Sequence, residues 1–134
     1  MAQVKILAND GLHEDGILLL NEAGYEVITD RVEQNNLANV LPDFDVILVR
    51  SATKVRKELI DACPGLKIIG RGGVGLDNID VQHAKSKGIE VYNTPAASSK
   101  SVAELVFGHL FTLSRSLHLA NREMPSQGES TFKA

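Results

Sequence analysis

LKIIGRGGVGLDNID, residues 66–80, admits two readings that lead to two different folds. Gly70, Gly72 and Gly75 satisfy G-x-G-x-x-G behind the apolar run Leu66-Lys67-Ile68-Ile69, and Glu90 lies twenty positions beyond the first glycine. That spacing is the signature of a dinucleotide-binding turn opening a βαβ unit. Such a turn needs its third glycine to open a helix whose bare N–H groups face a pyrophosphate. Here Gly75 is followed by Leu76-Asp77-Asn78-Ile79-Asp80, so two carboxylates stand where the dianion would come. Asp80 fits better as the N-cap of VQHAKSKG, a segment too short and polar for close glycine-mediated packing. Glu90 falls near the start of IEVYN, whereas a ribose-binding acid belongs at the end of a strand. The fingerprint also normally marks the first strand of its domain, and here four β-type runs end with it. The stretch therefore reads as a turn at the carboxyl end of a fourth strand. Three glycines within six residues permit positive φ and close backbone approach. Successive N–H groups in such a turn form a concavity for a carboxylate or a single phosphate. A tight turn without a ligand is the alternative.

Outward from this turn, short β-type runs alternate with helix-like segments. The runs are Val4–Ala8, Tyr25–Thr29, Val46–Val49, Leu66–Ile69 and Ile89–Tyr92, and between them lie HEDGILLLNEAG, VEQNNLANVLPD, RKELIDACPG and NIDVQHAKSKG. Several of these segments end in the Gly or Pro expected just past a helix. Strand–helix alternation argues for right-handed βαβ units and a parallel sheet. Five units predict a flavodoxin-like α/β fold, strand order 2-1-3-4-5, with ligands at the carboxyl ends of the strands. The pattern then changes. SVAELVFGHLFTLSRSLHLANRE, Ser101 to Glu123, predicts one long C-terminal helix opened by a Ser101/Glu104 capping box. Its apolar residues, among them Val102, Leu105, Val106, Phe107, Leu110, Phe111, Leu113 and Leu117, cover more than one face, so part of its surface should bury against another molecule or domain. Packing wholly onto its own sheet is the alternative. PSQGESTFKA, after Met124, has no periodicity and is expected to be a loop or frayed tail.

A second candidate site lies in VRSATKV. Arg50 and Ser51 directly follow the third run, on the rim that carries the glycine turn. Arginine offers a bidentate fork to phosphate or carboxylate, and serine adds a hydroxyl. Thr53 or Lys54 is expected either to serve the same anion or to cap the following helix. The four histidines, His13, His83, His109 and His118, show no partnered acid at catalytic spacing and are expected in surface or packing roles. No Ser-His-Asp, HExxH, P-loop or metal-ligand pattern is present. The lone Cys63, in LIDACPGL, is expected to be a small buried hydrophobe.

The bulk numbers are ordinary for a soluble globular protein. With 134 residues, 43% hydrophobic, 23% charged and a net charge of −3, the chain gives no electrostatic case for nucleic acid or an anionic membrane. No stretch approaches the roughly 20 apolar residues that span a bilayer. No basic n-region precedes the first apolar run, and a cytoplasmic location is the expectation.

VRSATKV, GRGGVGLDNID, GIEVYNTP and SVAELVFGHLFTLSR, in this order and spacing, resemble the D-isomer-specific 2-hydroxyacid dehydrogenases. The resemblance covers essentially Met1 to Met124, and its Arg-Ser pair looks most like that of members acting on 3-phosphoglycerate. It implies a flavodoxin-like substrate-binding domain over residues 1–94. Residues 95–134 would be a linking and dimerisation helix with a tail, the start of a cofactor domain. The family's dinucleotide fingerprint and its catalytic Arg, Glu and His lie further along its chains, so an N-terminal fragment is implied, with no catalytic residue of its own and no activity alone. Residue by residue, the resemblance assigns Arg50 and Ser51 to the substrate phosphate and the backbone of Gly73, Val74 and Gly75 to its carboxylate. Val74 and Ser98 are assigned to the NAD side, and Ser101–Glu123 to a homodimer. The implied reaction is NAD-dependent oxidation of 3-phosphoglycerate to 3-phosphohydroxypyruvate, a step in serine biosynthesis. A dehydrogenase for a non-phosphorylated 2-hydroxy acid is one alternative. A flavodoxin-like signalling receiver is another, opposed by Arg50-Ser51 where a receiver has its phosphorylatable Asp and by Asn93-Thr94 where it has Lys.

Overall fold

A computed structural model describes residues 3–127 and divides into two compact units, Met1–Ala96 and Ala97–Ala134. In the first unit five parallel strands, β1 (Lys5–Ala8), β2 (Glu26–Ile28), β3 (Val46–Val49), β4 (Ile68–Arg71) and β5 (Glu90–Asn93), form one sheet. Its order is β2-β1-β3-β4-β5, as the alternating pattern predicts. β3 matches its expected bounds, the other four strands start one or two residues later than the hydropathy suggests, and β4 ends on Arg71 rather than Ile69. Two residues of the glycine stretch, Gly70 and Arg71, are therefore strand.

Helices α1 (Glu14–Glu22), α2 (Leu37–Val40), α3 (Lys57–Ala62) and α4 (Val81–Ser86) make the crossovers. The core fills one side of the sheet. Leu7, Ile47, Val49 and Ile69 meet Leu37 and Leu41 from the α2 region, Leu59, Ile60 and Cys63 from the α3 region, and Ala84 of α4. Cys63 is fully buried there, and burial pushes its thiol pKa up, as befits a packed hydrophobe. Asp80 caps α4 as its sequence context indicates, its carboxylate accepting from the His83 N–H at 3.1 Å.

The chain leaves α1 and α4 in the same way. Gly24 and Gly88 take φ of +88° and +78°, and each sits in a Schellman pair. Around Gly24 the bonds are Gly24 N–H to Asn21 and Tyr25 N–H to Leu20; around Gly88 they are Gly88 N–H to Lys85 and Ile89 N–H to Ala84. Each turn releases the chain straight into the next strand.

The second unit corrects three expectations. Ser101–Glu123 is not one helix but parts of two, α5 (Ser99–Ser114) and α6 (Leu117–Gln127). They are separated at Arg115-Ser116, where Ser116 has φ +50°. Helix α5 begins two residues before the expected capping box, with Ser98 at the N-cap and no side-chain cap bond. Pro125, Ser126 and Gln127 continue α6 rather than joining a loop, while 128–134 lie outside the described residues. Within this unit Phe107 and Phe111 stack at a ring-centroid distance of 6.3 Å.

Candidate functional site

Register builds the site. Val49 pairs with Arg71 and Arg71 with Asn93, so β3, β4 and β5 end level with one another. The residues that follow, Arg50, the Gly72–Gly75 loop and Thr94, are thus brought to one edge, with Asn9-Asp10 joining them from the end of β1. A cleft of about 640 Å³ opens there, lined among others by Asp10, Leu12, Leu48, Arg50, Arg71, Gly72, Tyr92 and Thr94. Leu48 leans over Gly70 to make its floor: a Cβ on Gly70 would come within 2.7 Å of Leu48 Cδ2.

The Arg50 loop is held from below by polar side chains that the sequence reading did not single out. Asp10 Oδ2 accepts from the N–H groups of Arg50 (2.7 Å) and Thr53 (3.1 Å), and its Oδ1 accepts from the Thr53 hydroxyl at 2.6 Å. Asn78 Nδ2 donates to the carbonyls of Arg50 (2.9 Å) and Thr53 (2.7 Å), while its buried Oδ1 finds no partner among the described residues. Asn9 completes the network, donating to Thr53 Oγ1 at 2.8 Å and exchanging bonds with the backbone of Val32. Partial burial pushes the Asp10 pKa up, but the bonds from Thr53 and Arg50, with the charge of Arg31, outweigh it and hold the carboxyl below its ordinary range. Thr53 is therefore buried structure, and Lys54 pairs its backbone with the Gln34 amide. Neither caps α3, whose N-cap is Arg56 without a side-chain bond.

The Arg50 side chain lines the cleft. Its stem runs along Gly72, where a Cβ would lie 3.6 Å from Arg50 Cγ, and nothing among the described residues hydrogen-bonds its guanidinium. Ser51 is exposed beside it but does not line the cleft.

The glycine loop is pinned by its carbonyls. Gly73 O accepts from the Thr94 N–H (3.1 Å), Val74 O from Asn93 Nδ2 (2.6 Å), and Gly75 O from Arg71 Nη1. In a trans peptide the N–H points opposite the preceding carbonyl. Fixing the carbonyls of Gly73 and Val74 thus turns the N–H groups of Val74 and Gly75 the other way, and among the described residues these two donors have no backbone partner. This is the donor arrangement an anion needs. The expected positive φ is absent: the glycines that adopt it are Gly11, Gly24 and Gly88. Close approach is what Gly70 and Gly75 provide. Val74 itself is 51% exposed, and Ser98 lies in the second unit at the start of α5.

Of the histidines, His13 lines the cleft and caps α1 by accepting from the Asp15 N–H. His83, expected to lack an acid, meets Asp61 at 2.9 Å, and Lys87 meets the same oxygen at 2.9 Å, outside the cleft lining. Among the described residues no group of three His, Cys, Asp or Glu is placed to hold a metal ion, and no helix is long and apolar enough to cross a membrane.

A five-stranded parallel sheet in this order, with its cleft at the carboxyl edge, is a flavodoxin-like α/β domain, in which ligands bind at the strand ends. The family model for the D-isomer specific 2-hydroxyacid dehydrogenase catalytic domain matches residues 6–129, and the chain belongs to that family of oxidoreductases. It is 48% identical over 121 residues to a hydroxypyruvate reductase of Thermotoga maritima, covering 90% of this chain and 39% of that protein. A D-3-phosphoglycerate dehydrogenase of Methanocaldococcus jannaschii is 46% identical over 121 residues, with 90% and 23% covered. Among solved structures, NAD+-bound 3-phosphoglycerate dehydrogenase of Entamoeba histolytica superposes with TM-score 0.69 at 33% identity, covering 83% of this chain and 39% of that one. An acyclic imino acid reductase in complex with NADPH and D-Arg gives TM-score 0.79 at 33% identity, covering 95% and 42%. The chain spans less than half the length of each of these relatives.

Proposed function

We propose that this chain is the substrate-binding part of an NAD-dependent D-3-phosphoglycerate dehydrogenase. The pinned loop carries the proposal: two N–H groups without a backbone partner among the described residues, Val74 and Gly75, follow β4 at the sheet edge where Arg50 follows β3, and Arg50 and Gly72 line the cleft there. In this reading Arg50 and Ser51 take the phosphate and the N–H groups of the Gly73–Gly75 loop take the carboxylate. A ligand held at both ends presents its C2 carbon in a fixed orientation, which is this chain's contribution to the rate. NAD, when bound, would supply the acceptor for the C2 hydride, and Val74 and Ser98 are the residues of this chain that would face it.

The glycine turn does not fit the cofactor's pyrophosphate. Gly75 does not open a helix: α4 starts only at Val81, its N-terminus is capped by the Asp80 carboxylate, and Asp77 adds a second negative charge between them. The chain's share of NAD contact is therefore limited to Val74 and Ser98. The remaining cofactor and catalytic groups belong to a domain outside residues 1–134, a division that the partial coverage of the relatives supports. Residues 1–94 are assigned to the substrate domain and 95–134 to the start of the cofactor domain, with α5 and α6 joining two copies.

The 48% identity to a hydroxypyruvate reductase favours a second reading, in which the substrate is a non-phosphorylated 2-hydroxy acid. Titration calorimetry of the chain with 3-phosphoglycerate and with glycerate separates the two. A charge-assisted Arg–phosphate contact contributes about 1.5–3 kcal/mol, so 3-phosphoglycerate is expected to bind about tenfold or more tightly than glycerate. Arg50→Ala should erase that preference. Equal affinities in the unaltered chain, or a preference that survives Arg50→Ala, would remove the phosphate role and leave the second reading. The chain with NAD and 3-phosphoglycerate is expected to show no turnover.

A further inference from the structure

We infer that Arg71 is a positioning residue that sets the spacing between the two ends of the substrate cradle. It closes β4, where pairing with Val49 and Asn93 fixes its backbone. Its side chain is only 13% exposed and reaches both loops at once. Nε donates to the Arg50 carbonyl at 3.2 Å, and Nη1 donates to the Gly75 carbonyl. Asp77 Oδ1, 3.7 Å from Nη1, supplies counter-charge.

Gly75, the last glycine of the fingerprint, makes room for this guanidinium, and nearby Gly73 lies in ordinary contact with it. A Cβ on Gly73 would lie 3.5 Å from Arg71 Cζ, and one on Gly75 would lie 3.0 Å from Nη1. At Gly75 the arginine, with Asp77 beside it, takes space that a side chain would need. Because guanidinium nitrogens sit in a rigid planar fork, two carbonyls bonded to different nitrogens keep a fixed separation. Holding the Arg50 carbonyl turns the Ser51 N–H away from Arg71, and holding the Gly75 carbonyl does the same for the Leu76 N–H. Arg71 thereby orients the Leu76 N–H at the end of the glycine loop and, together with Asn78 on the same Arg50 carbonyl, the Ser51 N–H of the other loop.

The inference rests on assigning the Arg50–Ser51 loop to phosphate and the Gly73–Gly75 loop to carboxylate. It differs from a direct ligand role in what it does to one-ended and two-ended ligands. A spacer affects only a ligand that must reach both loops; a direct phosphate ligand affects any phosphate.

The test uses the whole chain, Arg71→Met and Arg71→Gln, titrated by amide NMR with 3-phosphoglycerate, inorganic phosphate and glycerate. Arg71→Gln retains one donor and serves if Arg71→Met fails to fold. The expected result is at least a fivefold loss of 3-phosphoglycerate affinity, with phosphate and glycerate affinities changed less than twofold. Parallel losses for phosphate and 3-phosphoglycerate would make Arg71 a direct ligand and overturn the inference, as would unchanged 3-phosphoglycerate affinity. If the unaltered chain binds none of the three, the ligand assignment fails separately. The ligand-free spectra then decide: amide shifts moving at both Ser51 and Leu76 in the variant support the spacer, and shifts confined to residues 72–77 overturn it.

Discussion

Asp10 concentrates the electrostatics of the site in one carboxylate. It receives three hydrogen bonds from the Arg50–Thr53 loop, and those bonds are strongest when it is ionised. Its folded pKa lies below the ordinary carboxylate value. A group lowered on folding contributes stability that is complete above its unfolded pKa and lost as pH falls through the folded one. The chain should therefore lose stability on the acid side of the ordinary carboxylate range, and Asp10→Asn should flatten part of that loss. At neutral pH the same substitution is expected to cost about 1–3 kcal/mol, because a charged acceptor is replaced by an amide carrying an unwanted donor. Denaturant melts of both proteins from acid to neutral pH measure this; parallel curves would show that Asp10 is not the coupling group. Asp45 and Asp61 are also lowered, by Lys67 and by His83 with Lys87, so a residual acid slope is expected in the variant. The residue scale is also where sequence reading reached least. Arg50 and the glycines stand out because they follow apolar runs on a predictable rim. Asp10 occupies the equivalent place after β1, so the same rim rule extends to it, although the sequence reading did not single it out. Arg71 could not be found this way, since its role depends on two carbonyls, one contributed by a residue twenty-one positions away.

Elements were legible where a local rule governs them. Gly24 and Gly88 end α1 and α4 in left-handed conformation, as the position of glycine just past an amphipathic segment implies. A Cβ at either would meet no atom within 4 Å, so the cost of alanine there is purely conformational. Gly24→Ala and Gly88→Ala are each expected to destabilise the chain by about 1–2 kcal/mol, the left-handed penalty for an L-residue. Thermal unfolding would register this, and a change within error would mean that the turns relax to another geometry. The α5–α6 break was not legible. Arg115-Ser116 contains neither Gly nor Pro, and Ser116 takes its left-handed φ at the usual cost for a non-glycine residue. Conversely Pro125, a formal stop signal, falls within α6. It lies in the element's last turns rather than its middle, and the apolar stripe that suggested a single helix was continuous across the real break. Hydropathy reports which residues want burial, and a helix pair can satisfy the same pattern as one helix.

At the scale of the molecule, the two units differ in how completely they bury their apolar residues. The sheet unit hides Leu7, Ile47, Ile69 and Cys63 entirely. Helix α5 leaves Val102, Leu105, Val106, Phe107, Leu110 and Phe111 each between 54% and 60% exposed, and no α5 residue is buried. Apolar surface transferred out of water yields roughly 25 cal/mol per Å², so a stripe of this length favours a partner surface. A second copy of the same stripe is the partner proposed above, and a two-fold pairing is self-complementary by construction. The chain is therefore expected to self-associate, with sedimentation equilibrium giving a mass that rises toward twice the monomer as concentration increases. Val106→Glu, in the middle of the stripe, should shift that equilibrium to monomer by placing like charges opposite each other across the axis. Because Val106 is 60% exposed within its own chain, the substitution should leave the melting of the sheet unit unchanged. A chain that stays monomeric at its highest soluble concentration would remove the pairing. A Val106→Glu protein that still dimerises would move the interface off this stripe.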